Sequence, residues 1–130
     1  LNIDEILDAA ENVDNNYIGS HTLNSISEEI FDCLKELDIN NESLEKYCTS
    51  LLQYRYIDQI HQIHKGKHIR WIRNGKLTNG GIVVDVKFLD NGTHILCKNG
   101  FRFIQYKFDE CITFQKLTND EVMILKVKEL

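Results

Sequence analysis

Three histidines are the first residues whose spacing suggests chemistry. His61 and His64 stand three apart, and His68 follows just beyond Gly66. Residues three apart share a helix face, and imidazole is a common ligand of zinc and nickel. A tetrahedral site needs further donors at close spacing, and Asp58 is the only nearby carboxylate. The histidines therefore read as boundary residues, with no metal and no cofactor expected. Cys33, Cys48, Cys97 and Cys111 contain no CxxC pair and sit within apolar patterning, which predicts buried thiols in a reducing compartment. Asp109-Glu110-Cys111 places two carboxylates beside a thiol. Negative neighbours raise a thiol pKa and oppose nucleophilic activation. Gly80-Gly81 precedes a strand pattern rather than a helix, so it reads as a tight turn or bulge and not as a phosphate loop. With no GxSxG or HExxH motif, the expectation is a protein that is not an enzyme.

The segment from Lys65 to Lys76 is the strongest candidate for binding. It carries Lys65, Lys67, Arg70, Arg73 and Lys76 with no acidic residue among them, and Trp71 lies in its middle. Cations neutralise phosphates and an exposed ring stacks on a base, which is one use of such a stretch. Alternation sets Trp71 on the same face as Ile69, pointing inward, and leaves Arg70 outside. Tyr47, Tyr54 and Tyr56 fall in one helical stretch, while Phe101, Phe103, Tyr106, Phe108 and Phe114 crowd the later strands. A domain this small does not easily bury every aromatic, so some are expected to form a packing surface for a partner.

The elements that must hold these residues change character near Lys65-Gly66-Lys67. Before it the period is helical. Ile3, Ile6, Leu7 and Ala10 form a short amphipathic pattern. Ser25 and Glu28 read as a capping box, followed by Ile26, Ile30, Leu34 and Leu37 as one buried stripe. Asn40 or Asn41 caps a further helix through Leu44, Tyr47, Cys48, Leu51 and Leu52, continuing past a kink near Tyr54–Tyr56 to His64, where Gly66 ends it. Beyond that point the period becomes two. Strands are predicted at His68–Ile72, Ile82–Leu89, Thr93–Lys98, Phe101–Phe108, Ile112–Leu117 and Val122–Lys128. Asp90-Asn91-Gly92 and Asn99-Gly100 supply hairpin turns, and a phase slip between Phe103 and Ile104 suggests a bulge.

The fold class that follows is α+β. An acidic helical segment over 1–64 leads into a small antiparallel SH3-like β-barrel of five to six strands over 65–130. Charge divides the same way. The first 64 residues carry 13 acidic side chains against three basic ones, and the remainder carries 12 basic against seven acidic. That asymmetry points to two differently charged binding surfaces, to self-association, or to docking of one half on the other. At 130 residues, 42% hydrophobic and 27% charged, the chain has the composition of a globular domain, and no apolar run is long enough to span a bilayer. It opens on Leu1 rather than Met, which suggests a trimmed piece, with no secretory apolar region behind it.

The stretch His64–Glu121, with "HKGKHIRWIR", "LTNGGIVVDVKFLDNGTHILCKNG" and "RFIQYKFDECITFQKLTNDE", resembles small uncharacterised proteins encoded by large nucleocytoplasmic DNA viruses of algae and protists. The resemblance covers a little under half the chain. It implies a giant-virus product found in the virion or the infected-host cytoplasm, with a role as a minor structural or capsid component and other viral structural proteins as partners. The expected function is a non-enzymatic protein-interaction module contacting its partner through Arg70, Arg73, Lys76, Tyr54 and Tyr56, without a membrane. The alternative is a nucleic-acid-binding barrel of the Tudor or KOW kind, placing Lys65, Lys67, Arg70 and Arg73 on phosphates.

Overall fold

A computed structural model describes residues 2–130, without the side chains at 13, 14 and 16; the opening Leu1 lies outside them. The Asn2 side chain accepts a hydrogen bond from the Asp4 amide at 2.8 Å and starts α1, Ile3–Glu11. Ala9 packs inward, while Ile3 and Leu7 of the expected stripe stay exposed. A 3-10 stretch, Val13–Ser20, leads to α2 (Leu23–Lys35). Its capping box lies three residues before the expected one. Thr22 accepts from the Ser25 amide at 3.0 Å, and the Ser25 hydroxyl accepts from the Thr22 amide at 2.8 Å. Ile26, Ile30 and Leu34 form the buried stripe that their spacing predicts. Asn40 caps α3 (Asn41–Ser50), accepting from the Ser43 amide at 2.7 Å.

The helix expected to reach His64 stops at Ser50. Gln53 turns the chain in the left-handed region at φ 66°, and Tyr54–Ile57 forms β1. Aromatic and β-branched residues suit a pleated surface. Alternation sends Arg55 and Ile57 to one side, where they are buried, and Tyr54 and Tyr56 to the other. The rest of the sheet is β2 (His68–Arg73), β3 (Lys76–Leu77), β4 (Gly81–Leu89), β5 (Gly92–Asn99), β6 (Arg102–Lys107) and β7 (Ile112–Lys116). Asn74 and Gly75, at φ 52° and 76°, form the tight turn between β2 and β3. Such paired positive φ values are what Asn-Gly tolerates. The hairpins expected after Leu89 and after Asn99 both form.

The chain is thus α+β, with an antiparallel sheet of seven strands in the order β1-β7-β2-β4-β5-β6 and β3 attached to β2. The sheet ends at β1 and β6, which do not pair with each other. Three expectations need correction. Val122–Lys128 is helical, part of α4 (Asn119–Lys128). Thr118 and Glu121 form a full capping box there, and burial falls on Glu121 and Leu125, one helical turn apart. The register shift lies in β4, between Val83 and Asp85, and not in β6. The β5–β6 register runs unbroken from His94↔Lys107 to Asn99↔Arg102. Gly66 terminates no helix; at φ 87° it donates its amide to the Val83 carbonyl at 2.9 Å in the turn entering β2.

Two cores lie on opposite faces of the β1-β7-β2 wall. One face carries Ile57, Ile69 and Trp71, which pack with Val83, Ile95, Cys97, Tyr106 and Phe108 of the curled β4-β5-β6 portion. The curl brings the Tyr106 ring onto Trp71 with centroids 4.0 Å apart, and its hydroxyl to Thr113 Oγ1 at 2.9 Å. On the other face Ile72 and Phe114 meet Ile30, Leu34 and Leu51 from the helical side. A third cluster joins Ile18, Ile26, Leu117 and Leu125.

A buried carboxylate ties these layers together. Glu121 is 0% exposed. It accepts from the Tyr17 hydroxyl, from the Thr118 amide at 3.0 Å and from Lys67 Nζ at 3.2 Å. Arg55, itself buried, lies 3.7 Å away through Nε and stacks its guanidinium over the Tyr17 ring at 3.9 Å. Burial pushes the Glu121 carboxyl up, but the Tyr17 and Thr118 hydrogen bonds and the Lys67 and Arg55 charges outweigh it and hold it below the usual range. Beside it Gln115 accepts from the His64 amide at 3.0 Å and donates to the Gln62 carbonyl at 3.1 Å.

Gly80 marks the tightest backbone approach. At φ 70°, a Cβ there would sit 1.8 Å from the Ile69 carbonyl oxygen. Gly80→Ala is expected to cost about 3 kcal/mol or more, read as the urea midpoint at unchanged slope. Glu121→Gln leaves Arg55 and Lys67 without their carboxylate and should cost about 3 kcal/mol or more. Because the folded carboxyl titrates lower than the unfolded one, its stabilisation is complete above the ordinary value of 4.5. It is lost as pH falls through the folded value. Urea titrations from pH 7 down to pH ~3 should therefore show a steeper acid loss in the wild type than in Glu121→Gln.

Candidate interaction surface

The residues expected to bind a partner separate into two environments. Arg70 points away from Trp71, as alternation predicts, but that face lies under the helices. Its Nε donates to the Thr78 carbonyl at 2.8 Å and its Nη1 to the Ser50 carbonyl at 3.4 Å. Tyr54, half-buried, bonds through its hydroxyl to His68 Nδ1 at 3.0 Å and lines an apolar cleft of about 290 Å³ with Leu23, Ile26 and Val122. Tyr56 tilts against Phe114 with ring centroids 6.1 Å apart. Lys67 belongs to the Glu121 cluster. The remaining cations lie outside. Lys65 meets Asp85 at 3.4 Å, Arg73 meets Glu110 at 3.7 Å, and Lys76 is exposed on β3.

The nucleophile and metal candidates are equally separated. His61 is exposed, the His64 amide is bound by Gln115, and His68 faces Tyr54. Burial, then the Lys116 and Arg70 charges, push the His68 imidazole down. Among the described residues no three His, Cys, Asp or Glu side chains converge as a metal site. Of the thiols only Cys97 is buried, whereas Cys33, Cys48 and Cys111 are half-buried; they lie where helix or strand faces meet their neighbours rather than in the centre. Burial pushes Cys97 up to about 12, and burial followed by the Glu29, Glu36 and Asp32 charges pushes Cys33 up to about 11. Burial also raises Cys48 and Cys111. Thiols held protonated are poor nucleophiles.

The surface left open is the outer face of β4-β5-β6. No residue of these strands belongs to either cluster that the helices build. Register sets Ile82, Lys98 and Phe103 in one row across the three strands, with Val84 beside it at the register shift. Phe103 is 62% exposed, Phe101 in the adjoining turn 99%, and Ile82 and Val84 are exposed as well. Lys98 Nζ lies 5.8 Å from the Phe103 ring centroid, a distance at which a cation still feels the ring face. Neither Lys98 nor Arg102 has a carboxylate partner among the described residues. At the far end of β6 an open cleft of about 390 Å³ is lined by Arg73, His94, Gln105, Lys107 and Glu110, with Asn91 and Tyr106.

The sequence counts Phe101 and Phe103 among the aromatics a small domain does not easily bury, but with apolar residues in both phases of the segment it does not say which of them face outward. Ile104 and Tyr106 take the inward phase and leave Phe103 outward. The alternation in fact runs unbroken from Phe103 to Lys107, where the expected slip between Phe103 and Ile104 would have interrupted it.

Arg70→Ala should lower stability by about 1–3 kcal/mol, since it removes charged donors to two half-buried carbonyls. Arg73→Ala should stay within roughly 0.5 kcal/mol, its pair being exposed. Parallel urea unfolding of the two variants checks both. Compared with protein-family models, curated proteins and solved structures, the chain has no match.

Proposed function

We propose that this chain is a non-catalytic protein-interaction module whose docking surface is the outer face of β4-β5-β6. One observation carries the reading: Phe101 and Phe103 stand exposed beside Ile82, Val84 and Lys98 on a sheet face that the helices do not cover. Contiguous apolar surface of this kind is unfavourable in water and becomes favourable once a partner covers it. Arg73 and Lys76 remain on the accessible side, whereas Arg70, Tyr54 and Tyr56 serve the packing of helices on the sheet. A non-catalytic role is supported by thiols that burial holds protonated and by a carboxylate cluster sealed from solvent.

The scaffold is read as an SH3-like barrel. The order β7-β2-β4-β5-β6, a single 3-10 turn at Phe108–Glu110 before β7, and the curl that stacks Tyr106 on Trp71 support that assignment. The virion setting belongs to the same proposal and follows from the viral resemblance, with other structural proteins of the particle as partners. The nucleic-acid alternative relies on Lys65, Lys67, Arg70 and Arg73, of which Lys67 and Arg70 are held by groups of the chain itself. The protein reading is therefore the better supported.

Phe101→Ser with Phe103→Ser removes only exposed surface and should leave the thermal midpoint within about 3 °C of the wild type. It should reduce cross-links to partner proteins in the producing cells, counted by mass spectrometry, by roughly ten-fold or more. Undiminished cross-links from a folded variant would overturn the proposal.

A further inference from the structure

The end of the sheet beside this face is chemically marked. β6 pairs only with β5, so one row of its backbone donors and acceptors meets no other strand. Such an edge accepts an additional extended chain. Its outward side chains, Phe103, Gln105 and Lys107, read apolar, polar and cationic along the strand. Arg73 reaches the cationic end from β2, where Glu110 stands 3.7 Å from Arg73 Nη2 and 3.8 Å from Lys107 Nζ. Strong charge-assisted bonds are about 1 Å shorter, and all three side chains are partly exposed. A half-exposed carboxylate at that range is readily exchanged for another.

We infer that β6 is the docking edge for an extended acidic segment of another protein, added as a strand. An apolar residue of the segment lies against Phe103, and a carboxylate four residues away on the same face enters the cleft of Arg73 and Lys107. The spacing follows from the rise of a strand, roughly 13 Å over four residues. This inference rests on the reading of the β4-β5-β6 face as an interaction surface. A second copy of this chain fits the edge poorly. β6 itself, Arg102–Lys107, carries no carboxylate, so antiparallel pairing with a second copy of the strand brings no acid to Arg73 and Lys107. A polyanion lacks the alternating amide donors and carbonyl acceptors that an unpaired strand edge offers bonds to.

The probe is a pool of acetylated, amidated octapeptides with Val, Ile or Phe at the second position, Glu or Asp at the sixth, and Ser or Thr elsewhere. Control pools carry Lys at the sixth position, or move the acid to the fifth. Fluorescence anisotropy reads affinity and amide hydrogen exchange reads location. The expected result is binding of the first pool alone, with β6 amides protected. Arg73→Glu should weaken it by about ten-fold and Glu110→Gln should strengthen it by about two- to three-fold. A silent first pool, equal binding of the Lys pool, protection away from β6, or unchanged affinity in Arg73→Glu overturns the inference. So does salt-sensitive binding of oligo(dT) in place of the peptides, or β6 protection that grows with protein concentration alone. If the Phe101/Phe103 variant loses its cross-links while the acidic pool stays silent, the surface stands and only the acidic strand fails. Retained cross-links remove the surface reading itself.

Discussion

A carboxylate with no access to water holds the two ends of this chain to its sheet. Glu121 comes from the last helix, Tyr17 from the 3-10 stretch near the start, Arg55 from the first strand and Lys67 from the turn into the second. Removing such a charge from water costs several kcal/mol unless partners replace the lost hydration, so the four elements are stable only in company. The stacking of Arg55 on Tyr17 adds a contact that a lysine would not reproduce as well. Lys128 completes the attachment by donating to the Ile18 and His21 carbonyls at 2.6 Å. The two halves therefore meet inside the molecule, but with the carboxylate from the basic half and Arg55 from the acidic one, so this contact does not follow the division of charge along the chain.

That attachment decides which part of the sheet remains available. With the helices packed on β1-β7-β2, every side chain of β2 except its last is at least partly covered; its Arg70 is directed to the Thr78 and Ser50 carbonyls, and its exposed Arg73 to Glu110. The same sheet continues into β4-β5-β6 without such cover. Its inner side chains fill the core beneath Trp71, while its outer ones, Phe103 among them, meet solvent. Function has room only where packing leaves a face free, and here that face lies on the strands opposite the helical layer.

Much of this architecture is legible in residue patterns. The stripe of Ile26, Ile30 and Leu34, the Asn40 cap, the existence of β4 and the hairpin after Asn99 all depend on contacts within a few residues. The failures have equally local causes. Tyr54–Ile57 is four residues long, too short for period two to stand out against a preceding helix, and only its pairing with β7 makes it a strand. Val122–Lys128 mixes apolar residues with lysines in a way that fits either period, and Thr118-x-x-Glu121 was the cap that distinguished them. The site is less legible. The basic window was visible as charge, but whether Arg70 meets a partner or the Ser50 carbonyl depends on a helix twenty residues earlier.

Residue types and spacing alone determined the α+β class, the inward direction of Trp71 and the excess of aromatics over what a small interior holds. These are short-range consequences of backbone period and side-chain size, whereas the change from helix to strand falls at Gln53 rather than near Gly66. Only the tertiary structure decided that Lys67 answers Glu121, that the outer side of β2 is an interior, and that Phe101 and Phe103 are left in water. Those outcomes depend on which faces come together across long separations in the chain, and both a buried wall and an open one are compatible with the same alternation of apolar and polar residues.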